Sequence, residues 1–281
     1  MTTTRHAPDR ARARGGRPDL TIETAPHWDD AMRILVRRRG CTLFACSVTP
    51  GHGSPWFITD CLPHRRDAEP AALLLAVCDR LSADHGADRF IAITPDFWSG
   101  HLAAGGAALM QRVVPMWLPL DEELLSMHGK PLPATYRIAP LEPAAAEPAE
   151  LVHLSADTDR TGDLRVWKET FAHRYGPVIP PATLQLVGDS GRSGAIAVTE
   201  HQGTPLVAHF VIAAAERGSG FGRAVLVESL IRLSRSGYVD CRLNVVADNW
   251  VAHRLYRSIG FIQSGPTLRV SHLVPSRSRH A

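Results

Sequence analysis

Several common signals of function are missing from this sequence. No apolar run approaches the ~18 residues of a membrane-spanning helix, so no membrane association is expected. The Thr- and Arg-rich beginning contains no hydrophobic segment and reads as lacking a secretory signal. Cysteine is sparse and odd in number, with Cys41, Cys46, Cys61, Cys78 and Cys241 forming no C-x-x-C pair. Such cysteines read as reduced thiols in a cytoplasmic protein. The 14 histidines are scattered, with no H-E-x-x-H or comparable spacing, so no metal site is expected. Two nucleotide fingerprints also fail. In a G-x-G-x-x-G frame starting at Gly218 or Gly220, the third glycine position falls on Arg223 or Val225. No Gly-Lys-Ser/Thr follows to make a Walker loop.

What is present suits two packed domains: 281 residues, 44% of them hydrophobic. Net charge is +3, unevenly placed. Residues 5–17 hold five arginines among Gly and Pro, so residues 1–19 read as a disordered tail, as do residues 276–281. A basic tail can touch nucleic acid, but a solvated tail is the preferred reading, and no nucleic-acid partner is expected.

The most informative stretch is Arg217-Gly218-Ser219-Gly220-Phe221-Gly222. It follows the apolar run 206–213 and opens the apolar segment 223–236, which reads as strand, glycine-rich turn, helix. Such a turn presents backbone N–H groups at a helix start, where the macrodipole favours negative charge. Glycine removes the Cβ atoms that would hold a phosphate off the backbone. Further on, Cys241–Val246 reads as a strand. Asp248 or Asn249 then caps a helix carrying Ala252, Leu255, Tyr256 and Ile259, which ends at Gly260 with Phe261 beyond.

The first hexad fits R/Q-x-x-G-x-G/A. Together with Asn249-x-x-Ala252-x-x-Leu255-Tyr256-x-x-x-Gly260-Phe261, it resembles the two signatures of the GCN5-related N-acetyltransferases (GNAT), in the family's order. The resemblance covers residues 135–275. It implies an α/β fold built on a mixed, mostly antiparallel sheet flanked by helices, with an acyl-CoA co-substrate, most simply acetyl-CoA. The implied CoA-binding residues are Ile212, Ala214, Arg217, Gly218, Ser219, Gly220, Phe221, Gly222, Arg223, Asn249, Ala252 and Tyr256.

The first half repeats this order of elements at an offset of about 152 residues. Strands are expected at 56–62, 89–94 and 113–118, with helices at 71–83 and 99–111. The loop counterpart, Arg65-Arg66-Asp67-Ala68-Glu69-Pro70, has lost its glycines and gained two acids that would repel a pyrophosphate. The region before Trp56 reads as too short for the first part of the fold. The expectation is therefore a tandem GNAT-like chain: a truncated, degenerate copy at 20–120, a linker at 121–134 within the proline-rich stretch 119–143, and a catalytic domain at 135–275. In the catalytic domain the first strand is expected at 135–139, helices at 143–156 and 163–174, and strands near 183–188 and 194–200.

The chemistry implied is direct attack of a neutral amine on a thioester in a ternary complex. By resemblance, the Ile212 N–H is the oxyanion donor and Tyr256 the acid or hydrogen-bond donor at the CoA sulfur. Many relatives place a carboxylate base where this chain has His209, whose imidazole suits that role at neutral pH. Asn244 on the neighbouring strand could hold a water. Asp157 and Asp159 with Trp167 could receive a cationic amine, against the blander reading of helix caps and loop residues. The acceptor would be an amine of a small molecule, amino acid or peptide, and the protein a monomer or homodimer. Two other readings stay open: a tandem transferase using aminoacyl-tRNA, against which the pyrophosphate loop counts, and a CoA sensor or scaffold without turnover.

Overall fold

The computed structural model describes residues 20–26, 31–50, 55–63, 70–129, 131–142, 154, 167–168, 170–173 and 175–275. The expected tails, the loop counterpart at 65–69 and, apart from residue 154, the helix at 143–156 lie outside the described residues. The chain divides into two compact units. One comprises residues up to Val113 together with those from Pro266 on; the other is Val114–Gly265.

The first unit starts with three antiparallel strands, β1 (Leu20–Pro26), β2 (Met32–Arg38) and β3 (Cys41–Thr49). Strand β4 (Trp56–Pro63) follows, then helix α1 (Pro70–His85) and strand β5 (Phe90–Pro95). Proline opens α1, where the missing N–H costs no helical bond, and an Ala/Leu run sustains it. As a helical crossover requires, β4 and β5 are parallel, paired at Trp56↔Phe90 through Ile58↔Ala92. A 3-10 turn at Asp96–Trp98 leads into the short helix α2 (Ser99–Ala104). Strand β6 (Ala108–Pro119) then crosses the border into the second unit.

In the second unit, helix α3 (Glu122–His128) precedes strands β7 (Arg137–Pro140), β8 (Leu184–Gly188), β9 (Gly191–His201) and β10 (Thr204–Ile212). Helix α4 (Phe221–Arg235), strand β11 (Asp240–Val246), helix α5 (Trp250–Ile259) and the short strand β12 (Ile262–Gln263) complete it. The last strand, β13 (Leu268–Leu273), belongs to the first unit. Strand order is β1-β2-β3-β4-β5-β13-β6 in the first unit and β6-β11-β10-β9-β8-β7 in the second, with β12 on β6. All registered pairings are antiparallel except β4–β5 and β10–β11, each bridged by one helix. This is the mixed α/β architecture that the resemblance implied, present twice. Each unit buries its own core. Phe44, Ile58, Leu74, Val77 and Phe90 centre the first; Leu184, Ile196, Val225, Leu230 and Leu243 centre the second.

The first copy is shortened before Trp56, as expected, and three other expectations need correction. The region before Trp56 holds three strands, so the strands are not what the first copy lacks. The shortening lies between its first two strands: β1 reaches β2 through residues 27–31, whereas β7 reaches β8 through residues 141–183. The expected linker contains α3, whose first turn is capped by Asp121 Oδ1 accepting from Leu124 N at 3.1 Å. Leu125 buries it in the second core, and Glu122 binds Arg235 of α4. The helix expected at 99–111 stops at Ala104, because Gly105-Gly106 break it and β6 begins at Ala108. The borders also fall elsewhere than 20–120 and 135–275. β13 leaves the second half of the chain to sit between β5 and β6, and β6 runs on beside β11.

Candidate functional site

Strands β10 and β11 pair only at Leu206↔Arg242 and Val207↔Leu243. Beyond that point β10 continues to Ile212 and β11 to Val246 with no further registered pair, so both strands turn unpaired edges toward a gap. A bulge sits at the same level, where the β10–β9 register shifts between Val207 and His209. One extra residue in a strand reverses which face the later side chains take. Val207 faces the α4 core and, after the bulge, so do Phe210 and Ile212. His209 and Val211 face the other side, with Trp167, Ala195 and Ala197.

At the end of β10, the Ala213 N–H donates to Ser193 O of β9 at 2.8 Å. Successive N–H groups of extended backbone point to opposite edges, so that of Ile212 points away from β9, toward the gap. Past a 3-10 turn at Ala214–Glu216 comes the glycine-rich loop. Gly218 (φ 81°) and Gly220 (φ 87°) lie in the left-handed region that other residues avoid. Gly220 is the N-cap of α4 and offers no side-chain cap. The N–H groups of Phe221, Gly222 and Arg223 therefore start the helix without capping side chains, the condition in which a helix N-terminus receives an anion. A Cβ on Gly218 would meet nothing within 4 Å. Residues and backbone here fit a pyrophosphate. Arg217 turns its Nε back onto Ile212 O at 3.0 Å, tying loop to strand end, and Arg223 is held by Ser258 of α5. Gly222 lies against Ile212, Leu255 and Phe210, where loop, strand and α5 meet.

Helix α5 starts as its sequence predicts. Asn249 Oδ1 accepts from Ala252 N at 3.1 Å, which assigns the cap to Asn249 rather than Asp248, and Gly260 closes the helix at φ 112°. The structure thus gives Asn249 and Ala252 a helix-starting role. Tyr256 is 8% exposed, its ring edge-on to Phe261 at 5.8 Å, and burial alone pushes its phenol well above the usual range.

His209 is half-buried, and its ring meets Trp167 edge-to-face with centroids 4.5 Å apart. Trp167 is fully buried, so its indole braces His209 rather than presenting a face to solvent. Asn244 is exposed on β11, on the sheet face opposite the α4 core and hence on the side of His209. Ala214 is exposed in the turn before the loop. Asp157 and Asp159 lie outside the described residues.

One participant escapes a reading of the sequence. Tyr136, just before β7, stacks on Phe221 with centroids 4.3 Å apart and donates its hydroxyl to Glu216 Oε1 at 2.7 Å. That bond raises the pKa of its phenol. Tyr136 thereby clamps both ends of the glycine-rich loop from a position 80 residues away in sequence. No local pattern announces it.

The model of the Acetyltransferase (GNAT) domain matches residues 184–274. No curated protein sequence matches the chain. Among solved structures, similar folds include a tandem GNAT protein from the clavulanic acid biosynthesis pathway (17% identity, TM-score 0.59, covering 87% of this chain and 82% of that one). A Drosophila protein gives 15%, 0.61, 87% and 80%, and a GCN5-related N-acetyltransferase from Sphaerobacter thermophilus 18%, 0.58, 87% and 80%. Among the described residues no helix is long and apolar enough to cross a membrane, and no cluster of His, Cys, Asp or Glu could hold a metal ion. Residues 184–274 thus match the GNAT domain model, and the chain shares its fold with tandem GNAT proteins.

Proposed function

We propose that the second unit transfers an acyl group from an acyl-CoA, most simply acetyl-CoA, to an amine of a small molecule, amino acid or peptide. The reading rests chiefly on one observation: the β10–β11 ladder ends after Val207 and Leu243, beside a loop whose two left-handed glycines lead into a helix with no side-chain cap. The bound thioester would supply the activated acyl group.

The chain's own groups would divide the remaining work. Amides at the start of α4 hold the pyrophosphate. The free edge of β10 offers backbone partners to the pantetheine arm, from Ile212 to Ala214, as an added strand would. The Ile212 N–H donates to the carbonyl oxygen as it gains charge. His209, held by Trp167, takes the ammonium proton, directly or through a water at Asn244. Tyr256 donates its hydroxyl to the departing sulfur.

Calorimetric titration with acetyl-CoA tests the ligand, and release of free thiol across a panel of amines tests the turnover. The expectation is saturable binding to the parent protein and at least about tenfold weaker binding by Gly220→Asp, which puts a negative side chain where the pyrophosphate would lie. Equal binding by the two proteins removes the pyrophosphate site. Binding without thiol release from any amine leaves a CoA sensor.

A further inference from the structure

Among the described residues of the first unit, one buried cation has no counter-ion. Along β13, Leu268 and Val270 face one apolar cluster with Ile91, Ile93 and Val113, while Leu273 faces the α1 core with Phe90 and Ala92. Alternation places Arg269 and Ser271 on the same side as Leu273. Arg269 is 8% exposed and Ser271 fully buried. Among the described residues, the one side-chain hydrogen bond of Arg269 is Nε donating to Ser271 Oγ at 2.9 Å, and no carboxylate lies within ion-pair distance of it. Burying a guanidinium in that way is unfavourable unless an anion comes to it.

Its cross-strand neighbours sharpen the point. On β5, the residue opposite is Thr94, fully buried, whose Oγ1 has no partner among the described residues. On β6, the residue opposite is Arg112. Two like charges directly across an antiparallel ladder repel. The nearest described carboxylate, Asp96, lies 3.9 Å from Arg112, at the limit of an ion pair, and is itself partly exposed. Thr94, Arg269 and Arg112 thus form one row across three strands: two guanidinium groups and an unused hydroxyl, with Ser271 beside them.

We propose that this row is a binding site for a small oxyanion, the carboxylate or phosphate group of a small molecule, in the first unit. Arg269 offers its planar fork for bidentate recognition. Thr94 supplies an O–H donor. Arg112, exposed at the rim, is the entry side and the second positive charge. The site lies outside the glycine-rich loop of the second unit and does not depend on that loop binding CoA.

Calorimetry and thermal melting of the full chain test this, with succinate and inorganic phosphate titrated separately at constant ionic strength in chloride. The Gly220→Asp protein serves as background, so that anions seated at the α4 helix are not counted. One site per chain is expected for at least one anion, and which one binds identifies the class. Arg269→Met, of similar length, should weaken binding at least about tenfold, and Thr94→Val, which keeps the shape, severalfold. In the chloride buffer without succinate or phosphate, Arg269→Met should melt higher than its background, since it removes an uncompensated buried charge. Two results overturn the proposal: no saturable binding of either anion, or unchanged binding in Arg269→Met and Thr94→Val.

Discussion

At the scale of single residues, burial sorts the ionisable groups of the proposed site by what each can do. Tyr256 has its phenol raised by burial alone, so at neutral pH it is fully protonated. A thiol near pKa ~8.5 is the stronger acid, and full proton transfer from the phenol to a thiolate is uphill while hydrogen-bond donation is not. Tyr256→Phe should therefore lower kcat about 10- to 100-fold with little change in KM for acetyl-CoA. In the parent, no loss of rate below pH ~10 should trace to this group. An alkaline limb below that pH that disappears in Tyr256→Phe contradicts the assignment. The thiols obey the same physics. Burial pushes Cys46 and Cys241 up to about 12 and Cys61 well above its ordinary range, while Cys41 is exposed. For groups whose folded pKa is raised, the unfolded chain loses its protons first. Their stabilising contribution is complete below the unfolded value of ~8.5 and is lost as pH rises toward 12. Melting temperature should fall across that window. At pH 8 a thiol reagent should label Cys41 quickly and the four buried cysteines only as the chain unfolds; fast labelling of two or more refutes the burial pattern.

At the scale of elements, the glycine-rich loop was legible in the sequence because every determinant of it is local: two glycines, a helix start and an apolar strand before it. The cap at Asn249 and the stop at Gly260 were legible for the same reason. Helix α3 reads as linker from sequence because the prolines around it dominate, although Asp121 followed by Glu122 and Glu123 is a helix-start signal in its own right. Tyr136 was not legible, because its meaning depends on β7 lying at the sheet edge beside the loop. Gly188 shows how closely that contact is fitted: a Cβ there would stand 2.6 Å from Tyr136 Cε1. Tyr136→Phe removes the bond to Glu216 but keeps the stack on Phe221, so it should weaken acetyl-CoA binding severalfold without changing the fold. Gly188→Ala, which displaces the ring itself, should weaken it further. The check is calorimetry on both variants alongside far-ultraviolet circular dichroism. Unchanged affinity in both removes the clamp from the mechanism.

At the scale of the whole chain, the internal repeat could be read from the order of elements, but not the destination of the last strands. Strand pairing is decided between segments far apart, and β6 and β13 carry no local mark that tells them which neighbours to take. In the structure β13 pairs with β5 and β6 in the first unit, while β6 runs on beside β11 in the second. A cut at the borders read from sequence would therefore harm both sides. The fragment 135–275 keeps β13 but loses both of its partners, and leaves β11 without β6. It also loses Met116, Leu118 and Leu125 from the core that holds Leu243 and Tyr256. Removing several buried side chains of that size costs about 2–5 kcal/mol each, against the ~5–15 kcal/mol that stabilises a typical domain. The exposed edge of β11 would add a site for aggregation. The fragment should fail to give a cooperative melt and should not bind acetyl-CoA, whereas the full chain should do both. A sharp transition in the fragment, within about 5 °C of the full chain, would mean that each half can close its own sheet and that the exchanged strands are dispensable.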